Sequence, residues 1–192
     1  DEPGKWPDDL RAVLHQVGAL AQQLRAARVK AGALNLYSVE RRFVLDVEGN
    51  PIEVQGETTD ASHQLIEECM LLANRAVAAW LDQRGLPCPY RVHAPPEPER
   101  LRQFAALLET YGIQADGVED RFGLQRILAR IDQEPPAARL VLNTLCLRAF
   151  TKAVYQIENL GHYALAFSHY CHFTSPIRRY PDLLVHRLVK QA

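Results

Sequence analysis

Two adjacent arginines, Arg178 and Arg179, stand between Pro176 and Pro181, a few residues after Thr174 and Ser175. Guanidinium groups take the oxygens of phosphate or carboxylate in pairs, and two neighbouring hydroxyls add further donors. Ser175 suits a helix cap and Pro176 a first helical position. Pro181 cannot continue a regular helix, so the spacing predicts a short turn and then a helix from Pro181 onward. Helix starts carry unpaired N–H groups and the positive end of the dipole, so two cations there require an anion. A bound phosphate meets that need, and so does a buried carboxylate such as Glu67 or Asp182. Residue chemistry alone leaves the two even.

Other groups near this stretch offer weaker chemistry. His162, His169, Cys171 and His172 could ligate a metal, but their spacing matches neither pair of a zinc finger, so no metal is assigned to them. The alternation in HYALAFSHYCHF, residues 162–173, reads as a strand of packed aromatics and hydrogen-bonded histidines. Further upstream, Glu67 falls on a helical stripe with Leu71, Asn74 and Ala78. The apolar residues of that helix, from Leu65 to Leu81, cover more than half its circumference, which places Glu67 near the interior beside an amide. A structural ion pair with an arginine is the favoured reading of that segment; a ligand contact through Glu67 or Asn74 is the alternative.

These groups must be positioned by a helix-rich α+β fold. The spacing predicts helices over residues 8–30, 60–83, 98–111, 122–131 and 136–156, the second capped by Thr59 or Asp60 and ended by Gly85. Phe43, Val44, Leu45 and Val47, a Glu-Gly-Asn turn at 48–50, then Ile52 and Val54 read as a hairpin, and Tyr90 to His93 as a short strand. The 192 residues are 47% hydrophobic, enough for one good core or two small ones. With 22 Lys and Arg against 23 Asp and Glu, whole-surface attraction to nucleic acid is excluded, and any such binding must be local. From residue 172 onward Arg178, Arg179, Arg187 and Lys190 face one carboxylate, Asp182. Four well-separated cysteines without a CxxC pair suit reduced thiols. No apolar run approaches the ~20 residues of a membrane span, and no leader pattern opens the chain, so a cytoplasmic location is expected.

The run NLGHYALAFSHYCHFTSPIRRYPDLLVHR, residues 159–187, resembles the signature of the ribonuclease II and ribonuclease R family of 3′-to-5′ exoribonucleases. GAL at 32–34, HQLIEECMLLANRAVAAWL at 63–81, RVHAPPEP at 91–98 and AVYQIENLGHYAL at 153–165 resemble further family segments in the family's order. The likeness covers nearly the whole chain, and SPIRRYPDL and RVHAPP bring it nearer the ribonuclease R branch.

The resemblance implies processive hydrolysis of single-stranded RNA by two magnesium ions, releasing nucleoside 5′-monophosphates, within a mixed α/β catalytic domain. It implies that Arg178 contacts the phosphate at the scissile bond, that Arg179 and Tyr180 support it, and that Glu67 contacts RNA near its 3′ end. Ser175 would donate to phosphate or cap the turn, the cap being favoured. His186 and Arg187 would be structural or touch a second phosphate. Where relatives carry an aromatic that stacks on RNA this chain has Leu36, with Tyr37 beside it. The family's cluster of metal-binding aspartates has no counterpart; the adjacent pair Asp8 and Asp9 reads as a helix cap. Residues 1–192 are therefore expected to be the C-terminal portion of one catalytic domain, inactive by itself. The magnesium ligands and the flanking OB-fold RNA-binding domains would lie outside it. The alternatives are a non-catalytic RNA-binding or scaffolding relative that has lost the metal site, and a metal-binding regulatory module.

Overall fold

The computed structural model describes residues 7–35, 40–57 and 60–192, and the chain divides into two compact units. The first unit contains α1 (Asp8–Lys30), α2 (Ala61–Gln83), β3 (Tyr90–Val92), β4 (Val154–Gln156) and α6 (Tyr180–Gln191). The second contains β1 (Glu40–Leu45), β2 (Pro51–Glu57), α3 (Pro98–Thr110), α4 (Arg121–Ile131) and α5 (Pro136–Ala149). This is the helix-dominated α+β fold expected.

In the first unit α1 begins with Asp8 and Asp9 and ends with Arg28 and Lys30, charges that complement its dipole. It packs against α2, and Ala21 is its one fully buried residue among those described. Asp60 caps α2 by accepting from Ser62 N and His63 N; Thr59, the other candidate, lies outside the described residues. Gly85, with φ +64°, ends α2 by turning Leu86 N back to Leu81 O. Ala78, Leu81, Cys88, Tyr90, Val92, Cys171 and Val185 form the core, flanked by Trp80, Phe173 and Leu188. Strands β3 and β4 pair antiparallel, Tyr90 opposite Gln156 and Val92 opposite Val154.

Two expectations are corrected here. The helix from Pro136 stops at Ala149, not at Gln156: Phe150 is extended, and the β-branched and aromatic pair Val154–Tyr155 joins β3 instead. Residues 162–173 are not a strand. Gly161 (φ +73°) and Ala166 (φ +56°) reverse the chain, leaving single bridges His93–His162, His162–Phe167 and Tyr90–Cys171.

In the second unit β1 and β2 form the expected hairpin, from Glu40 opposite Glu57 to Leu45 opposite Pro51. The Asp46 carboxylate accepts from Glu48 N and Asn50 N, so the turn opens earlier than the spacing suggested, and Val47 lies in it, fully exposed. Leu101, Phe104, Leu108, Leu124, Leu128, Ile131, Leu142 and Cys146 are buried, and α3 and α4 both pack against α5. Asp120 caps α4 through Gly123 N.

Gly123 leaves no room for a side chain. A Cβ there would sit 1.9 Å from the Gly117 carbonyl oxygen, whereas at Gly112 nothing lies within 4 Å and only the positive φ of +72° opposes substitution. Gly123→Ala is expected to cost about 3 kcal/mol of stability, against about 1 kcal/mol for Gly112→Ala. Urea denaturation compares the two; equal losses would show that the Gly117 backbone yields.

Candidate functional site

The segment that carries the arginine pair, residues 170–179, runs between α2 and α6 without a strand partner of its own beyond the Cys171 bridge. Buried backbone amides need partners, and here side chains supply them. Asn74 of α2, 2% exposed, accepts from Phe173 N at 2.9 Å and Thr174 N at 3.2 Å through Oδ1, while its Nδ2 donates to the Tyr170 hydroxyl at 3.2 Å. Asp182, fully buried in the first turn of α6, accepts from Ser175 N at 2.8 Å. The His186 ring stacks on Phe173 at 4.1 Å, and its Nε2 donates to Phe173 O at 2.9 Å. Three consecutive amides are thus held by two side chains from two helices.

The turn that follows closes on itself. Ser175 O accepts from Arg178 N at 3.3 Å and Arg179 N at 3.2 Å, and α6 starts at Tyr180 with Pro181 in its first turn and no side-chain cap. The turn-then-helix expectation holds. The capping expected of the Ser175 side chain is corrected: α6 begins five residues later, at Tyr180, without a side-chain cap, and the Ser175 carbonyl closes the turn.

The two arginines have different surroundings. Arg179, 22% exposed, forks onto Asp182 with Nε at 2.9 Å and Nη2 at 2.8 Å, so its anion is part of the protein. Arg178 is exposed on the turn and forms no ion pair among the described residues, and Ile177 and Tyr180 beside it are exposed as well. Thr174 Oγ1 is buried and finds no hydrogen-bond partner among the described residues. Tyr37 lies outside the described residues.

Glu67 is not the buried carboxylate of α2. The buried stripe is Glu68, Leu71, Asn74, Ala78 and Leu81: Leu71, Asn74 and Ala78 are where expected, but the buried carboxylate is Glu68, drawn in by Arg28 of α1, while Ile66 and Leu72 are exposed. Glu68, 4% exposed, pairs with Arg28 of α1, and Glu67, 52% exposed, lies 4.0 Å from the same guanidinium on its outer side. Next to that pair, Leu24, Leu71, Arg75 and Phe167 help line a cavity of about 310 Å³, with the Arg75 guanidinium 5.4 Å from the Phe167 ring centre. Spacing missed Glu68; its neighbour Arg28, in the last turn of a helix expected to pack on one face, was the available signal.

The histidines behave as packed, hydrogen-bonded groups. His172 Nδ1 accepts from the Tyr155 hydroxyl at 2.6 Å, His93 Nδ1 accepts from Ala164 N at 3.3 Å, and the His93 and His162 rings lie 5.0 Å apart. Burial, then the charge of His93, pulls His162 down to about 3; burial, then Arg179, pulls His172 down to about 4. Both are neutral when folded, whereas an unfolded imidazole titrates near ~6.5. As pH falls through ~6.5 the unfolded chain gains protons that the folded chain refuses. Their contribution is therefore complete above that pH and is lost progressively toward 4 and then 3. The urea midpoint is expected to drop between about pH 7.5 and pH 5, and less so in His162→Phe; a flat profile would contradict the burial described.

Among the described residues no three His, Cys, Asp or Glu side chains converge to hold a metal ion. All four cysteines are free thiols, and no described helix is long and apolar enough to cross a membrane.

Comparison with known proteins adds to this geometry. The chain is 40% identical over 171 residues to a Ribonuclease R 1 of Lactococcus lactis, covering 88% of this chain and 21% of the relative, and so spans about a fifth of that protein. The structure is similar to a Mycoplasma genitalium RNase R in complex with ribose-methylated single-stranded RNA. The TM-score is 0.90 at 29% identity, covering 98% of this chain and 30% of the other. It shares its fold with a yeast pseudonuclease too, at a TM-score of 0.65 and 21% identity, covering 92% of this chain and 22% of the other. The family model described as "RNB domain" matches residues 2–192, the stretch that holds the braced turn, and the chain belongs to that family.

Proposed function

We propose that the protein hydrolyses single-stranded RNA from its 3′ end, releasing nucleoside 5′-monophosphates, and that Arg178 meets the phosphate at the bond being cut. Family membership and the Ribonuclease R names of its relatives support the activity. The similar structure titled as a single-stranded RNA complex supports the ligand. The observation that carries the assignment of Arg178 is local: of two adjacent guanidiniums, one is spent on a buried carboxylate and the other stands exposed on a turn.

The chain's own residues do the following. Asn74, Asp182 and His186 fix the backbone before the turn. Arg178 offers paired N–H donors to phosphoryl oxygens whose charge rises in the transition state, and a preorganised donor does not reorganise as that happens. Arg179 and Tyr180 border the same phosphate, and Ser175 lies at the base of the turn. Glu67, exposed beside Arg28, would take a ribose hydroxyl near the 3′ end, and its exposure supports that role. Tyr37 would stack on a base. Magnesium is expected on side chains outside the described residues, and no step is routed through it. OB-fold domains would grip the RNA farther from the 3′ end, and the free cysteines fit a reducing, cytoplasmic setting.

The test gives the complete protein a 5′-labelled single strand with a free 3′-hydroxyl, the same strand with its 3′ end blocked, and a circular RNA. Stepwise shortening of the first with monophosphate release, and survival of the circle, are expected. Internal cuts in the circle would overturn the exonucleolytic reading. Tight RNA binding without hydrolysis in any divalent cation would make the protein a non-catalytic RNA-binding relative.

A further inference from the structure

The upstream end of the arginine turn is fastened to α2 by one side chain, Asn74. A primary amide is suited to this place. Its oxygen accepts from Phe173 N and Thr174 N together, its nitrogen donates to Tyr170, and its own backbone carbonyl faces Cys171 Sγ at 3.6 Å. Residue 74 thus touches residues 170, 171, 173 and 174, about a hundred positions away in sequence. The downstream end is fastened separately, by Asp182 to Ser175 N and Arg179. Without the Asn74 oxygen the turn still closes on Ser175 O and Phe173 O still accepts from His186 of α6, but the Phe173 and Thr174 amides lose their tie to α2.

We propose that Asn74 is a positioning residue: by holding the Phe173 and Thr174 amides it sets where the turn presents Arg178, four residues on. This rests on the exoribonuclease reading for its kinetic consequence and on geometry alone for its structural one. A misplacement of about 1 Å at a reacting group is enough to cost on the order of a hundredfold in rate, whereas binding shared among many phosphates barely registers it.

The experiment uses the complete protein with Asn74→Ala, Asn74→Asp, Arg178→Ala and the double variant Asn74→Ala/Arg178→Ala. It measures single-turnover cleavage of a 3′-hydroxyl RNA, affinity without metal, and hydrogen exchange at residues 173–175. Asn74→Ala is expected to lose tenfold to a hundredfold in cleavage rate with affinity within about twofold, and to speed exchange at 173 and 174. In the Arg178→Ala background it should subtract little more, because both changes disable the same contact. Asn74→Asp keeps the acceptor for both amides, so it should keep their protection and most of the rate; it also serves if the alanine variant does not fold. Equal rate losses with and without Arg178, or unchanged exchange at 173 and 174, would overturn the proposal. A wild-type protein that cleaves no RNA would instead sink the exoribonuclease reading, with the exchange result still deciding the role of Asn74.

Discussion

Arg178→Ala in the complete protein is expected to slow a single turnover by about a hundredfold or more while leaving RNA affinity nearly unchanged. On the proposed function the RNA would be held at many phosphates while charge builds at one of them, so a contact made there would count most in the transition state. Arg178 can serve it because no described residue claims its guanidinium, while Arg179 beside it is tied down by Asp182. Arg178→Lys should restore part of the rate, since lysine keeps the charge and loses the fork that takes two oxygens at once. Cleavage of a short 3′-hydroxyl RNA, with affinity measured separately without metal, checks this. An alanine variant that loses rate and affinity in equal measure would make Arg178 a binding residue only.

Asp182→Ala is expected to produce the largest loss of stability, about 3–5 kcal/mol. The carboxylate is fully buried, and removing it strands the Ser175 amide and leaves the Arg179 guanidinium, 22% exposed, without its anion. Urea denaturation of the single variant and of Asp182→Ala/Arg179→Ala separates the causes. If an uncompensated cation is the main cost, the double variant should be the more stable of the two. A loss below about 1 kcal/mol would mean that the pair behaves as an exposed one.

The sequence disclosed elements better than orientations. Helical periodicity located α1, α2 and α3 nearly to the residue, because their ends carry local chemistry: Asp60 as a cap, Gly85 and Gly112 as stops. It overran α5, whose end carries no such signal and depends on Val154–Gln156 pairing with a strand 64 positions earlier. The same limit explains Glu67 and Glu68. A one-residue shift moves a side chain 100° around a helix, and only the packing of α1, which brings Arg28 to Glu68, decides which carboxylate goes inside. Arg178 and Arg179 posed the problem in its sharpest form. Composition required an anion and named Asp182 as one candidate, but that Asp182 would satisfy one arginine and leave the other exposed depended on the dihedral angles of a single turn.

The clamps at residues 173–175 grip main-chain N–H groups. Their hold is therefore indifferent to which side chains Thr174 and Ser175 carry, provided neither becomes proline, which has no N–H to offer. An exchange at Ser175 can vary what the turn touches without moving where it lies, whereas Thr174, whose Oγ1 is buried, admits only side chains of about its own size. If the proposed function is right, the loop would be a mount on which contacts with RNA can be altered while the frame stays set.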